Sequence, residues 1–160
     1  MLKITHMIFS SALILYVSRA VFNISLANSL LFAVFAGFMQ YLIDALSHET
    51  VVAKGGVKIH RRTWFLHSPL GAIILAFAFA LAIAFIMGVN SYVEFTTIFL
   101  LMSLSSFSHL LLDMPTEKGI YLWKRRLWNK RLASSNDFLL NLSFMFLGFL
   151  LMTLAIGSGF

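Results

Sequence analysis

The chain has 160 residues, 60% hydrophobic and 11% charged, with a formal net charge of +6 and a mean hydropathy of +0.90. Soluble domains carry about a quarter charged residues, so this composition excludes an ordinary soluble protein and predicts a single membrane-embedded domain, 1–160. With no cysteine, a disulfide framework and a thiolate metal site are excluded as well.

A helix needs about 20 residues to cross the hydrocarbon core. Five segments qualify: Thr5–Phe22, Leu26–Leu46, Pro69–Val89, Tyr92–Leu112 and Phe138–Ile156. The first is the shortest and carries Arg19, which can snorkel toward the headgroups. A cleaved signal peptide is the competing reading for it, since Lys3 precedes an apolar run. Ser18-Arg19-Ala20 is a poor cleavage site, however, and the second span follows at once. The loop after span two carries Lys54, Lys58, Arg61 and Arg62. Gly55-Gly56 marks a turn within it. Ser68-Pro69 opens span three as N-cap and first helical residue. Ser91 and Glu94 have the spacing of a capping box at the start of span four.

Pro115 stops span four, with Thr116 and Glu117 most simply a solvated turn, or else residues that support the ligands of the site from behind. The segment 120–132 interleaves Trp123, Leu127 and Trp128 with Lys124, Arg125, Arg126, Lys130 and Arg131, which predicts an interfacial helix between spans four and five. Asn136 or Asp137 caps span five. Both basic loops and the N-terminus are then cytoplasmic and the C-terminus outside, because the connection between spans three and four and the C-terminal tail carry no Lys or Arg. The expected fold is all-α: a multi-pass protein of the cell membrane with about five transmembrane helices.

The ionisable residues gather at the cytoplasmic ends of these spans. His6 begins span one. Asp44 and His48 are four apart at the end of span two, and His109 and Asp113 repeat that spacing at the end of span four. His60 and His67 lie in the first basic loop. A carboxylate near a helix C-terminus is disfavoured by roughly 0.3–1 kcal/mol at exposed sites, and more when it is buried near the bilayer. A divalent cation reverses both penalties. His6, Asp44, His48, His60, His67, His109 and Asp113 are therefore candidate metal ligands. A histidine and carboxylate set suits zinc first, with manganese or iron as alternatives. Seven ligands exceed the three of a catalytic zinc, so two metals can be accommodated. Arg61 and Arg62 are candidate catalytic residues that hold an anionic group or stabilise developing negative charge.

These residues stand in an order that resembles the LexA-regulated, membrane-bound metal-dependent hydrolases and their archaeal relatives of unknown function. The resemblance covers the chain to about Gly119. It is strongest at His109-Leu110-Leu111-Leu112-Asp113…Thr116…Gly119, then at Arg61…His67-Ser68. Arg62 stands where the family commonly has glycine, and Leu66 where it has threonine. Leu42-Ile43-Asp44-Ala45-Leu46-Ser47-His48 lacks the family's proline and second aspartate. What the resemblance implies is a metal-dependent hydrolase, without a substrate.

Membrane lipids are the expected partners, and a phosphorylated lipid or other phosphoester is the expected substrate, because the site lies at headgroup depth. Nucleic acid ranks lower, since positive-inside charge alone explains the basic loops. Two other classes compete: a non-enzymatic membrane protein with a structural or regulatory metal or histidine cluster, and a small transporter. Transporters place such groups near the bilayer midplane, whereas these cluster at one face.

Overall fold

Apolar windows become helices along the whole chain. In a computed structural model they are α1 (Lys3–Ala20), α2 (Leu26–Leu46), α3 (Pro69–Met87), α4 (Tyr92–Asp113) and α5 (Phe138–Gly157). The structure describes residues 1–46, 48–52, 58–63, 65–116, 121–122, 125–126, 134 and 136–157. Among the described residues four helices, α2 to α5, are long and apolar enough to cross a membrane. α1 is not among those four, since Lys3, Arg19 and its serines dilute it. It packs against α2, α4 and α5, so protein buries much of its surface. The protein is all-α in class and an integral membrane protein.

One core joins the bundle: Ile14 of α1, Met39 and Ile43 of α2, Ala80 and Ile83 of α3, and Leu101 and Met102 of α4 are all buried in it. Large apolar side chains such as Phe85, Phe146 and Leu139 point outward. That arrangement is stable when the surroundings are lipid rather than water.

Helix ends follow local chemistry. The Ser68 hydroxyl accepts from the Gly71 amide at 3.1 Å, and Pro69 occupies the first turn of α3. That helix stops at Gly88, whose φ of 65° is left-handed and favours glycine. The Asp137 carboxylate accepts from the Leu140 amide at 2.8 Å and so caps α5. Arg19, the charge that sits awkwardly on the first span, donates from Nη1 to the Ile24 carbonyl at 3.0 Å.

Four sequence expectations are corrected. Ser91 is the N-cap of α4, but its side chain makes no cap hydrogen bond and the capping box with Glu94 does not form. Thr116 is buried rather than solvated; its hydroxyl donates to the Asp113 carbonyl at 2.8 Å and fastens the end of α4. His48 does not continue α2. It opens strand β1 (His48–Val52), antiparallel to β2 (Lys58–Arg62), with Glu49 opposite Arg61 and Thr50 opposite His60. The β-branched run Thr50-Val51-Val52 favours that outcome. Where an interfacial helix over 120–132 is expected, the described residues are strands instead: β3 (Tyr121–Leu122) pairs with β4 (Arg125–Arg126). Amide bonding there runs across the chain, and the Tyr121 N–H donates to the His67 carbonyl at 3.0 Å. The Gly55-Gly56 turn, Glu117 and the tryptophans Trp123 and Trp128 lie outside the described residues.

Gly71 sits where the turn before α3 folds back on the helix, so that a Cβ there would run into the Phe65 carbonyl. Gly71→Ala is expected to destabilise the protein by about 1–3 kcal/mol through overpacking. Gly157→Ala, with open space around it, should be nearly silent. Thermal unfolding of the two variants in detergent checks this.

Candidate metal centre

Each of three helices carries polar residues four apart on its inward face. α1 brings Ser10 and His6, α2 brings Gln40 and Asp44, and α4 brings Ser105, His109 and Asp113. The turn before α3 adds His67. All eight side chains are buried, with Asp44 the most exposed at 2%.

At the charged end of these stripes five groups converge. His6 Nε2 lies 3.3 Å from Asp113 Oδ1. His67 Nε2 and His109 Nε2 lie 3.5 and 3.4 Å from Asp113 Oδ2. Asp44 Oδ1 is 4.0 Å from His109 Nε2. The His6 and His109 rings stack, with centroids 4.1 Å apart and an interplanar angle of 23°. Among the described residues two overlapping ligand triples result: His6, His109 and Asp113, and Asp44, His67 and His109. The Met1 nitrogen is also 3.0 Å from Asp113 Oδ1.

Behind the cluster lies a neutral polar layer. The Gln40 Nε2 amide lies 2.8 Å from the Ser105 carbonyl, 2.9 Å from Ser105 Oγ and 3.0 Å from Ser10 Oγ. The Ser10 and Ser105 hydroxyls are 2.7 Å apart. Gln40 Oε1 meets His109 Nδ1 at 2.7 Å. On the α5 side, Asn141 Oδ1 accepts from the Leu2 amide at 3.0 Å and from the Thr5 hydroxyl at 2.8 Å, which pins the start of α1 and the His6 beside it.

Five of the seven candidate ligands are thus brought together: His6, Asp44, His67, His109 and Asp113. The helix-face pairing of Asp44 with His48 is overturned, because α2 ends at Leu46. The side chains of His48, His60, Arg61 and Arg62 lie outside what the structure describes. Gln40, Ser10, Ser105 and Asn141 were missed by a search confined to ionisable residues. For Gln40, Ser10 and Ser105 the signal is the repeat of four residues: Asp44 shares its helix face with Gln40 rather than with His48.

The chain matches the family model described as YdjM inner membrane protein over residues 1–157. It belongs to the YdjM inner membrane protein family. No curated protein and no solved structure matches it. Membership agrees with the multi-pass helical architecture, and the buried His/Asp cluster is the most chemically loaded part of this YdjM-family chain.

Asn141→Leu removes the acceptor for the Leu2 amide and the buried Thr5 hydroxyl. Leaving such groups unpaired costs about 1–3 kcal/mol. The variant should unfold at lower temperature in detergent, whereas Ser143→Ala, which removes an exposed hydroxyl bonded only within α5, should not.

Proposed function

We propose that this protein is a membrane-bound metal-dependent hydrolase. Its metal centre is formed by His6, His67, His109 and Asp113 with Asp44 beside them, and it acts on a phosphorylated lipid or another phosphoester at the cytoplasmic interface. The observation that carries this reading is the spacing of the donors. Tetrahedral zinc with bonds of about 2.0–2.1 Å holds neighbouring donor atoms about 3.3–3.4 Å apart. Asp113 Oδ2 lies 3.4 and 3.5 Å from the Nε2 atoms of His109 and His67, and its Oδ1 lies 3.3 Å from His6 Nε2.

Charge supports the same reading. Two carboxylates buried at the end of an apolar bundle need cationic charge, and the Met1 ammonium, 3.0 Å from Asp113 Oδ1, supplies one unit of it. A histidine and carboxylate donor set without thiolate suits zinc, with manganese or iron as alternatives. Both triples depend on His109, and its Nδ1 is engaged by Gln40. One remaining nitrogen serves one cation, so the reading is of a single metal. When bound, such a cation activates water and polarises the scissile group.

The chain's own groups supply the rest. Asp44, whose Oδ1 is 4.0 Å from His109 Nε2 where the Asp113 contacts are 3.3–3.5 Å, is the carboxylate best suited to accept a proton from the attacking water. Arg61 and Arg62 in β2, a few residues before His67, hold the anionic group of the substrate, and His48 and His60 belong to the same hairpin. The motifs shared with the LexA-regulated hydrolases favour this class. Positive-inside charge favours a cytoplasmic location for the hairpins, and therefore for the site.

A second reading, a structural metal centre, is favoured by the complete burial of the donors, since structural sites are closed and catalytic ones keep an open position.

The purified protein is expected to contain close to one divalent transition metal per chain by elemental analysis. His109→Ala and Asp113→Ala should lose most of it, and Glu94→Ala, exposed at the far end of α4, should retain it. The two ligand variants and chelator should also abolish phosphate release from phosphorylated lipid in mixed micelles, with activity restored to the chelated protein by zinc. Metal retained by both ligand variants refutes the centre. Metal loss without any hydrolytic activity in the wild type leaves the structural reading.

Orientation has its own test. Cysteine introduced at Lys58 or Lys124 should react with an impermeant thiol reagent only after the membrane is opened. Labelling in intact cells would put the basic loops, and the site with them, on the other face.

A further inference from the structure

We infer that Gln40 is a positioning residue that fixes the proton of His109 on Nδ1 and so commits Nε2 to the metal. The inference rests on the metal reading above and adds a residue that neither charge nor ligand chemistry points to.

One group in the layer has an unambiguous role. The Ser105 backbone carbonyl can only accept, and it stands 2.8 Å from one end of the Gln40 amide. That end must therefore be the NH2 group. Its second hydrogen has the hydroxyls of Ser105 and Ser10 within reach, at 2.9 and 3.0 Å. The opposite end is then the carbonyl oxygen, which also can only accept, and it lies 2.7 Å from His109 Nδ1. Nδ1 must donate. A flip of the amide would set Oε1 against the Ser105 carbonyl and leave the NH2 facing Nδ1.

With its proton on Nδ1, a neutral imidazole carries its lone pair on Nε2. That nitrogen has no hydrogen-bond partner among the described residues. It faces Asp113 Oδ2 at 3.4 Å and Asp44 Oδ1 at 4.0 Å. A bare nitrogen among carboxylate oxygens repels them until a cation sits between.

The choice of an amide also has a physical reason. Many metal-bound histidines donate their second N–H to a carboxylate. Here a third carboxylate would add buried negative charge to a site that already holds two. Gln40 is fully buried in α2, one turn before Asp44. Its amide gives the same acceptor without the charge, and hydroxyls from α1 and α4 hold it in place.

The test uses the full-length protein in detergent, with Zn2+ and Co2+ as probes. In Zn2+-loaded wild type, the 15N resonances of His109 should show a proton on Nδ1 and coordination through Nε2. Coordination through Nδ1, or protonation of both nitrogens, overturns the inference without touching the metal centre itself.

Gln40→Met keeps volume and removes the acceptor. It should weaken Co2+ affinity by about 10–100-fold, the usual cost of losing such a partner, and change the visible Co2+ spectrum. Gln40→Glu, protonated in this buried place, keeps one donor and one acceptor and should bind Co2+ within a few-fold of wild type. Wild-type affinity and spectrum in Gln40→Met overturn the role, as does a Gln40→Glu protein as weak as Gln40→Met. Failure of the wild type to bind either metal overturns the hydrolase reading instead. Should Gln40→Met not fold, the 15N measurement on the wild type still decides.

Discussion

A polar group in hydrocarbon must find its partner within the protein, and the bundle is arranged around that constraint. Three helices would each fail it alone: α1 with His6 and Ser10, α2 with Gln40 and Asp44, α4 with Ser105, His109 and Asp113. Brought face to face, they satisfy one another through Gln40 and the serines, down to contacts of 2.7–3.0 Å. Specificity follows from the same contacts. Leucine can pack in several registers, whereas a Gln40 amide has one register in which both of its ends are paired.

The constraint also explains α1. By apolarity it is the weakest of the five helices, and composition alone makes it a doubtful span. Its polar residues are affordable because α2, α4 and α5 cover them. Asn141 of α5 holds its first turn, Ser10 joins the central layer, and Ser11 donates to the Ala33 carbonyl of α2 at 2.8 Å. The helix that lipid would stabilise least is the one that protein stabilises most.

Much of this was legible from the sequence. Hydrophobic windows located α2 to within its ends and the others to within about two residues, because burial in lipid demands long apolar runs that tertiary contacts do not override. The convergence of His6, Asp44, His67, His109 and Asp113 was legible too, since depth in a membrane is a one-dimensional coordinate that span counting supplies. Rotation about each helix axis was harder to read. Asp44 was paired with His48 on an assumed extra turn of α2, and the strand that replaces that turn depends on Thr50-Val51-Val52 and on pairing with β2. Gln40 stayed hidden because an amide bears no charge, and its importance arises only when α1 and α4 close over it. The segment after Pro115 misled for a related reason: alternating tryptophans and basic residues suit an interfacial helix or a short hairpin equally well.

His67 differs from the other four donors in one consequential way. His6, Asp44, His109 and Asp113 are fixed by helices packed in the bundle, whereas His67 sits in the turn before α3. Its backbone carbonyl receives the Tyr121 amide from β3, and the chain just before it is β2. Ser68 and Gly71 lock that turn to α3 by the cap and by close approach of the Phe65 carbonyl. The side chain of His67 therefore reports to Asp113 at 3.5 Å, while its backbone is joined to both loops that carry the basic residues. The hairpin that carries Arg61 and Arg62 has a short covalent route to the cluster through this residue, and β3 has a hydrogen-bonded one. Helix packing fixes the rest of the cluster, whereas His67 is tied to the loops as well.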